Sequence, residues 1–529
     1  MKETARTMAF VIAAGISAAA AFSAHWLTRP AEVSGFEKVG TEFYPEFKDA
    51  GAAQALRVVG YNEDTATIPE FEVKYDKGVW RIPSRHNYPA DARDRLAKTA
   101  ASVIGIQREA LASRRDADHE RYGVLDPLDA DGTKLKGRGQ RITLSDAKGK
   151  ALADYIIGKQ VEDREGYYYI RSPSEKETYL AKLQIDLSTK FADWIEPDLL
   201  KLDRDKLVEI VVDKYSIDES AGEITGKEIS TLTRATSSDP WELDGLDEDT
   251  EEVNTDATRE IVSSLDDLKI VGVRPKPQGI TSDLRVDRKV VQSPLQLQLL
   301  TDEMAAKGFL IGSDDKDEAR LYSKEGEVIA ATSDGVEYVL HFGQVFTGTE
   351  QEIEIGFANE TDGEPGSADS EEPTAESASE VDGESGETKR SRYLFVTAHF
   401  DESQLGAKPE EPAKPEKPEG LEISEEGEEA PAETDEVSDA AVAEKPDPAA
   451  DYQAALAEYE RNLETYQNDL KLYEDKRAEG TTKAKELNQR FGAWYYVISA
   501  ESFENLRLSR ADLVKPKEKP AEDGDGAAK

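Results

Sequence analysis

The chain has 529 residues, and its 110 Asp and Glu residues against 66 Lys and Arg residues give it a formal net charge of -44. A nucleic-acid-binding surface needs clustered basic residues to neutralise phosphates, so this acidic balance excludes nucleic acid as a partner class. The sequence has no cysteine. Disulfides, thiolate metal ligands, a cysteine nucleophile and a lipid-modified N-terminal cysteine are therefore excluded as well.

The N-terminal segment, residues 1–30, is predicted to be a membrane anchor. Lys2 and Arg6 precede an uncharged, largely apolar run. At about 1.5 Å per residue, a helix over residues 8–27 reaches about 30 Å, the thickness of a bilayer core. The basic residues on its N-terminal side predict a single-pass protein of the cell membrane whose bulk is extracytoplasmic, in the periplasm. The alternative, favoured by small residues near Ser23, is a cleaved signal peptide.

Two long segments of the chain have matching landmarks in the same order. The clearest match joins residues 155–161 and 167–171 in the first half to residues 338–345 and 392–396 in the second half. The other matched pairs are residues 79–82 with 240–243, 122–125 with 307–310, and 178–181 with 494–497. An ordered series of this kind predicts two tandem copies of one unit, at residues 36–215 and 228–514.

Both predicted units combine many short strands with few helices. In the first unit, alternating apolar residues predict strands at residues 55–60, 71–75, 79–82, 140–145, 151–157, 166–171 and 178–183. Apolar residues at helical spacing predict one helix over residues 90–104. This pattern is typical of an α+β fold with a mainly antiparallel sheet.

The second unit repeats that pattern. Its predicted strands are residues 229–235, 241–243, 319–323, 328–332, 336–342, 352–357, 393–400 and 494–499. Two helices are predicted to begin at Asn254 or Thr255 and at Ser293.

Three acidic segments interrupt or follow the second unit. Residues 360–389, residues 401–447 and the tail at 515–529 are rich in Glu, Asp, Pro, Ser, Gly and Ala. Such segments bury too little apolar surface to offset the entropy of ordering, so they are predicted to be disordered.

A heptad pattern between these segments predicts a helix over residues 450–479. Its apolar residues alternate at spacings of four and three, which places them on one helix face. We call this face the Tyr/Leu seam, and it comprises Tyr452, Leu456, Tyr459, Leu463, Tyr466, Leu470 and Tyr473. The seam is predicted to bind a partner helix, from another protein or from a second copy. The alternative is that the helix packs on its own sheet. Gly480 is expected to end the helix.

Candidate catalytic and metal-binding residues do not form a convincing set. No two of the five histidines are three or four positions apart, and they are interpreted as structural: His25, His86, His119, His341 and His399. The segment from Asp129 starts like a calcium loop, but Gln140 stands where the closing Glu is needed, which favours a polar turn. The aromatic runs at residues 167–169 and 494–496 are interpreted as strand core residues. No catalytic residue, cofactor or metal is predicted.

Several of these motifs together resemble a known family. Trp80, the helix start at residues 88–91, the box at residues 122–127, the pair Ile157 and Gly158, and residues 168–171 are similar to the domain of unknown function 4340 family. The resemblance covers about residues 71–200, and the second copy matches it more loosely. It implies a membrane-anchored, extracytoplasmic protein, often with more than one copy of the domain, and some members are similar to auxiliary subunits of gliding-motility ABC transport systems. It implies no catalytic residues.

The anchor, the duplication and the absent chemistry lead to one expectation. The chain is expected to be a non-catalytic scaffold or accessory subunit of a cell-envelope complex. The alternative is a module that binds an envelope polymer or peptide through its aromatic strands.

Overall fold

The structure is a computed structural model that describes residues 38–63, 66–129, 135–218, 223–314, 317–356, 388–417 and 448–517, together with residues 8, 14 and 16–18. The predicted anchor at residues 8–27 lies mostly outside the described residues. Nearly all of the insertion at residues 360–389 and much of the segment at 401–447 also lie outside them. Among the helices that the structure describes, none combines the length and apolar character needed to cross a membrane.

The chain divides into two compact units, Met1–Ile195 and Glu196–Lys529. The first unit has an antiparallel sheet of nine strands in the order β4-β3-β2-β1-β6-β7-β8-β9-β5. Its strands are β1 (Ala55–Val59), β2 (Glu70–Asp76), β3 (Val79–Ile82), β4 (Tyr88–Pro89), β5 (Ala110–Ser113), β6 (Gln140–Ser145), β7 (Ala151–Gln160), β8 (Tyr167–Arg171) and β9 (Thr178–Lys182).

Among residues 38–195 that the structure describes, two α-helices accompany this sheet, α1 (Arg93–Val103) and α2 (His119–Tyr122). The apolar face predicted for the first helix is buried, since Leu96, Ala100 and Val103 are all inaccessible to solvent. The hydroxyl of Tyr155 on β7 donates a hydrogen bond to the Val103 carbonyl at 3.1 Å, which ties the end of α1 to the sheet.

The second unit has an eight-stranded antiparallel sheet in the order β12-β11-β10-β17-β18-β19-β20-β14. Its strands are β10 (Leu207–Asp218), β11 (Glu223–Thr233), β12 (Glu242–Leu243), β14 (Gly272–Pro275), β17 (Glu327–Thr332), β18 (Val336–Gly348), β19 (Lys389–Phe400) and β20 (Trp494–Ser499). Two smaller pairings join β13 (Glu251–Val253) to β21 (Val514–Pro516) and β15 (Phe309–Ser313) to β16 (Ala319–Ser323). The α+β class with large antiparallel sheets is thus confirmed.

Six α-helices are described in this unit: α3 (Thr255–Asp266), α4 (Pro294–Ala306), α5 (Glu350–Ile355), α6 (Pro448–Phe491), α7 (Ala500–Leu506) and α8 (Arg510–Leu513). The predicted capping residues begin two of them. The Asn254 side chain accepts from the Ala257 amide, and Ser293 forms a capping box with Gln296. These caps satisfy amides that have no partner within the helix.

The boundary between the units differs from the predicted one. The first unit was expected to extend to Tyr215, but β10 lies in the second sheet, between β11 and β17. An apolar alternation indicates a strand without indicating which sheet the strand joins. That choice is made by the pairing residues of β17, more than a hundred positions later in the chain.

Two further local predictions are corrected. Residues 352–357 were predicted as a strand, yet Glu350–Ile355 forms a helix because Thr349 and Glu352 make a reciprocal capping box. The Thr-x-x-Glu signature was present in the sequence and decides for a helix. The predicted disordered tail also begins too early, because Lys515 pairs with Glu252 in the strand pair β13–β21.

The long helix α6 has 44 residues and continues past Gly480. A side chain at this position would overlap the carbonyl oxygen of Asp334, so the glycine permits close packing and does not end the helix. Beyond it, Leu487 and Phe491 are buried against the sheet. The Asn488 side chain binds both the amide and the carbonyl of Ala398 on β19, as a neighbouring strand would.

Candidate functional site

The Tyr/Leu seam lies on the N-terminal part of α6. We call residues 451–472 of this helix the helical arm, and no side chain in it is buried. The first six seam residues are nevertheless half-buried, whereas neighbouring Leu472, which points elsewhere, is 60% exposed. One face of the arm is therefore covered and the others are open. That the seam binds a partner helix stays a prediction.

The last seam residue fixes the base of the arm to the turn that follows β19. Tyr473 is only 9% exposed, and its hydroxyl donates a 3.0 Å hydrogen bond to Oε1 of Glu402. Arg477 lies 3.3 Å from the same oxygen. Partial burial and this hydrogen bond raise the pKa of Tyr473. Glu402 belongs to a short 3-10 turn that follows β19, so the chain leaves the sheet at the base of the seam.

The histidines lie at several places in the fold. His25 lies outside the described residues, and His86 stands in a left-handed backbone conformation after β3. Buried His119 is 2.7 Å from the Lys176 carbonyl oxygen. His341 and His399 lie on the adjacent strands β18 and β19. In the part of the chain that the structure describes, no group of His, Asp and Glu side chains could hold a metal ion.

A largely buried polar cluster surrounds His341, and no local sequence pattern indicated it. Glu327 on β17 stands directly opposite His341, and Nδ1 lies 2.8 Å from Oε1. Asp213 on β10 is the next residue in the same row across the sheet, and the Tyr215 hydroxyl also bonds to Glu327. The cross-strand match of Glu327 and His341 depends on register, which is why single-strand patterns could not reveal it.

The geometry and electrostatics of this cluster indicate a structural hydrogen-bonded pair of Glu327 and His341. Burial opposes ionisation of Glu327, but His341, Arg320 and the Tyr215 hydroxyl together outweigh it and keep the pKa of Glu327 below its ordinary value. Burial raises the pKa of Tyr215 and of Asp213, which lie beside this carboxylate. His341 is 1% exposed. A catalytic acid or base must reach the proton it transfers, so we assign this pair to the stability of the sheet.

Each unit has a groove beside one tryptophan of the matched segments 79–82 and 240–243. In the second unit the groove has a volume of about 1120 Å³ and lies between Trp241 and helix α3. The Arg234 guanidinium stacks on Trp241 at 4.6 Å. It also donates hydrogen bonds to the carbonyls of Leu207 and Arg204. In the first unit a smaller groove of about 420 Å³ lies between Trp80 and α1.

Lys276 is a second group that sequence reasoning missed. It lines a small pocket after β14, and its Nζ donates a 2.6 Å hydrogen bond to the Thr281 carbonyl. Burial lowers the pKa of Lys276 to about 8, and the charge of Asp283 opposes that shift only in part.

Amine-reactive labelling should therefore single out Lys276. Since the ordinary pKa of a lysine is about 10.4, the neutral fraction of Lys276 at pH 8 is roughly a hundredfold larger than that of an ordinary lysine. We expect its labelling rate, followed by peptide mass spectrometry, to level off above pH 8 while exposed lysines react faster up to pH 10. Asp283→Asn should move the midpoint to lower pH. A rate at Lys276 that still rises tenfold per pH unit above pH 9 contradicts the lowered pKa.

The remaining candidate sites from the sequence are the loop that follows Asp129 and the two aromatic runs. Residues 130–134 of the loop that follows Asp129 lie outside the described residues. The aromatic runs contribute to the sheets, since Tyr495 and Tyr496 are buried and residues 167–169 are half-buried. The Tyr/Leu seam is visible in the sequence because its residues recur every three or four positions. The cluster and the grooves join residues that are distant in sequence.

Comparison with known proteins bears on one region. The model of the family described as a domain of unknown function (DUF4340) matches residues 80–288. No curated protein and no solved structure matches the chain. The matched segment begins in β3 of the first unit and ends after β14 of the second. The resemblance found in the sequence is confirmed, since residues 80–288 of this chain match the model of the DUF4340 family.

Proposed function

We propose that this chain is a non-catalytic scaffold or accessory subunit of a cell-envelope complex. Residues 8–27 anchor it in the cell membrane, and the bulk of the chain is extracytoplasmic, in the periplasm. The family implies this setting through its membrane-anchored members, some of which resemble accessory subunits of ABC transport systems.

The observation that carries the proposal is helix α6. It is inserted between the neighbouring strands β19 and β20, and only the part from Tyr473 onwards has side chains buried in its own unit. At about 1.5 Å per residue the arm adds roughly 33 Å of helix that this core does not require. We propose that a subunit of the membrane complex binds the arm.

We also propose that the two units are tandem copies of one fold. In support, eight neighbouring strands of each sheet follow one another along the chain in the same sequence. Across the sheets their spatial orders are β3-β2-β1-β6-β7-β8-β9-β5 in the first unit and β12-β11-β10-β17-β18-β19-β20-β14 in the second. Helix α1 precedes β5 as α3 precedes β14. A scaffold built by duplication presents two related surfaces.

Matching glycines support the duplication independently. A side chain on Gly158 of β7 would overlap the Tyr122 carbonyl, and one on Gly343 of β18 would overlap the Lys307 carbonyl. The residue after each carbonyl is a glycine in a left-handed conformation, Gly123 with φ 71° and Gly308 with φ 84°. The strand register shifts after Ile157 in one sheet and after Phe342 in the other.

Crosslinking in native membranes tests the scaffold role. A tagged full-length chain should recover the subunits of one membrane complex in constant proportion. A variant in which a short Gly/Ser linker replaces residues 407–472 should lose them. This deletion is geometrically reasonable because Tyr473 already contacts Glu402. Equal recovery of the same subunits by both proteins would reject the arm as the assembly element, and recovery of a second copy alone would indicate self-association.

A second candidate function is binding of an envelope polymer or peptide. The specific observation that favours it is the Trp241 groove, because an aromatic side chain beside polar groups is typical of such sites. The aromatic runs at residues 167–169 and 494–496, which the sequence suggested for this role, are largely buried in the sheets. The same crosslinking experiment separates the two functions, since Trp241→Ala should abolish recovery of envelope glycan or peptide while it leaves the recovery of membrane subunits unchanged.

A further inference from the structure

The segment that follows β19 has a burial pattern with a period of three. Pro409, Pro412 and Pro415 are half-buried, whereas every residue between them is exposed. An extended chain with three residues per turn and proline at each third position is the pattern of a polyproline II helix, which places all three rings on one face. The repeat is Pro-x-x-Pro, the form that aromatic-lined grooves recognise.

The spacing of these prolines fits the spacing of the seam. At about 3.1 Å per residue, successive prolines on one face of a polyproline II helix are about 9.3 Å apart. Seam tyrosines seven positions apart in an α-helix are about 10.5 Å apart. The two repeats therefore stay nearly in step over the three prolines.

The connection along the chain also brings the proline face of residues 409–415 close to the Tyr/Leu seam. Glu402 binds Tyr473 and Arg477 at the C-terminal end of the seam, and the proline segment begins a few residues later, after Gly406. Something covers the seam, because Leu470 is half-buried and Leu472 is 60% exposed on the same helix.

We propose that residues 407–417 form a polyproline II strap that runs antiparallel along the Tyr/Leu seam, with each proline ring packed between seam side chains. The seam is thereby covered by its own chain, and the arm is a preformed strut of one α-helix and one polyproline II helix. A partner that binds the arm contacts its exposed outer faces. This inference does not depend on the proposed function.

Engineered cysteines test the contact directly, because the natural chain has none. Glu402 holds the preceding turn at the level of Tyr473. From Gly406 to Pro415 the extended strap advances about 28 Å, equal to about nineteen helical residues, so Pro415 should lie near Leu456. The pair Pro415→Cys and Leu456→Cys should form a disulfide within one chain of the full-length protein.

The matched control uses the opposite face at the same level. Ala454 is exposed and two residues from Leu456, so Pro415→Cys with Ala454→Cys should crosslink at least tenfold more slowly. Equal rates for the two pairs would overturn the strap. So would a crosslinked product with the mass of a dimer, since the seam would then be covered by a second copy.

Hydrogen exchange gives an independent measurement. Glycine at Pro409, Pro412 and Pro415 removes the rings and loosens the extended chain, so amides at residues 452–470 should exchange at least tenfold faster while those of β18 are unchanged. The control places glycine at the exposed positions Glu411, Lys414 and Lys417. Acceleration by both triple variants alike, or by neither, would overturn the proposal.

Discussion

Alanine at Gly480 is expected to destabilise the second unit by up to about 2 kcal/mol. In an ordinary helix interior the same change stabilises by about 1 kcal/mol, because glycine has the larger conformational entropy to lose. Here the added methyl group would overlap the carbonyl oxygen of Asp334, and the Phe400 ring is also close. Overpacking of a close contact costs about 1–3 kcal/mol, which reverses the sign.

Urea unfolding of the full chain, followed through hydrogen exchange of β18 and β19, measures this effect. Glu479→Ala is the matched control, because Glu479 is the exposed neighbour in the same helix and should change stability by less than about 0.5 kcal/mol. A Gly480→Ala variant more stable than the natural chain would show that α6 does not pack closely on the loop at Asp334.

Replacing Glu327 with glutamine is expected to cost about 2 kcal/mol at pH 7, because the hydrogen bond that His341 makes to a charged carboxylate inside the sheet is replaced by one to a neutral amide. The folded-state pKa of Glu327 is below its ordinary value of 4.5, so the ionised carboxylate stabilises the fold above that value. This contribution decreases as the pH falls through the folded-state pKa. The stability difference between the natural chain and Glu327→Gln should therefore be full at pH 7 and shrink below about pH 4.5.

Glu337 on the neighbouring strand β18 provides a control of opposite sign. Burial, Asp401 and Glu209 raise its pKa, so its charge opposes folding at neutral pH. Glu337→Gln should leave stability unchanged or increase it at pH 7. If both variants lose the same stability at pH 7 and at pH 4, the Glu327 carboxylate does not stabilise the sheet through its charge.

Local patterns alone determined much of the fold. The alternation of apolar residues located most strands of both sheets, and the spacing of Leu96, Ala100 and Val103 located α1. Such patterns predict strands and helices because each element buries one face, and the apolar residues of that face recur at a fixed spacing in the sequence. The heptad of α6 was visible for the same reason, as was the resemblance to the DUF4340 family.

Only the tertiary structure decided how those elements are used. The strand β10 joins the second sheet because its partner β17 lies far along the chain. Gly480 lies inside a helix, where the nearby Asp334 carbonyl leaves no room for a side chain. A glycine that ends a helix looks the same in the sequence. Glu327 and His341 meet through strand register, and the half-burial of the seam depends on what lies over it. Each of these outcomes is a contact between residues distant in sequence, which no local period encodes.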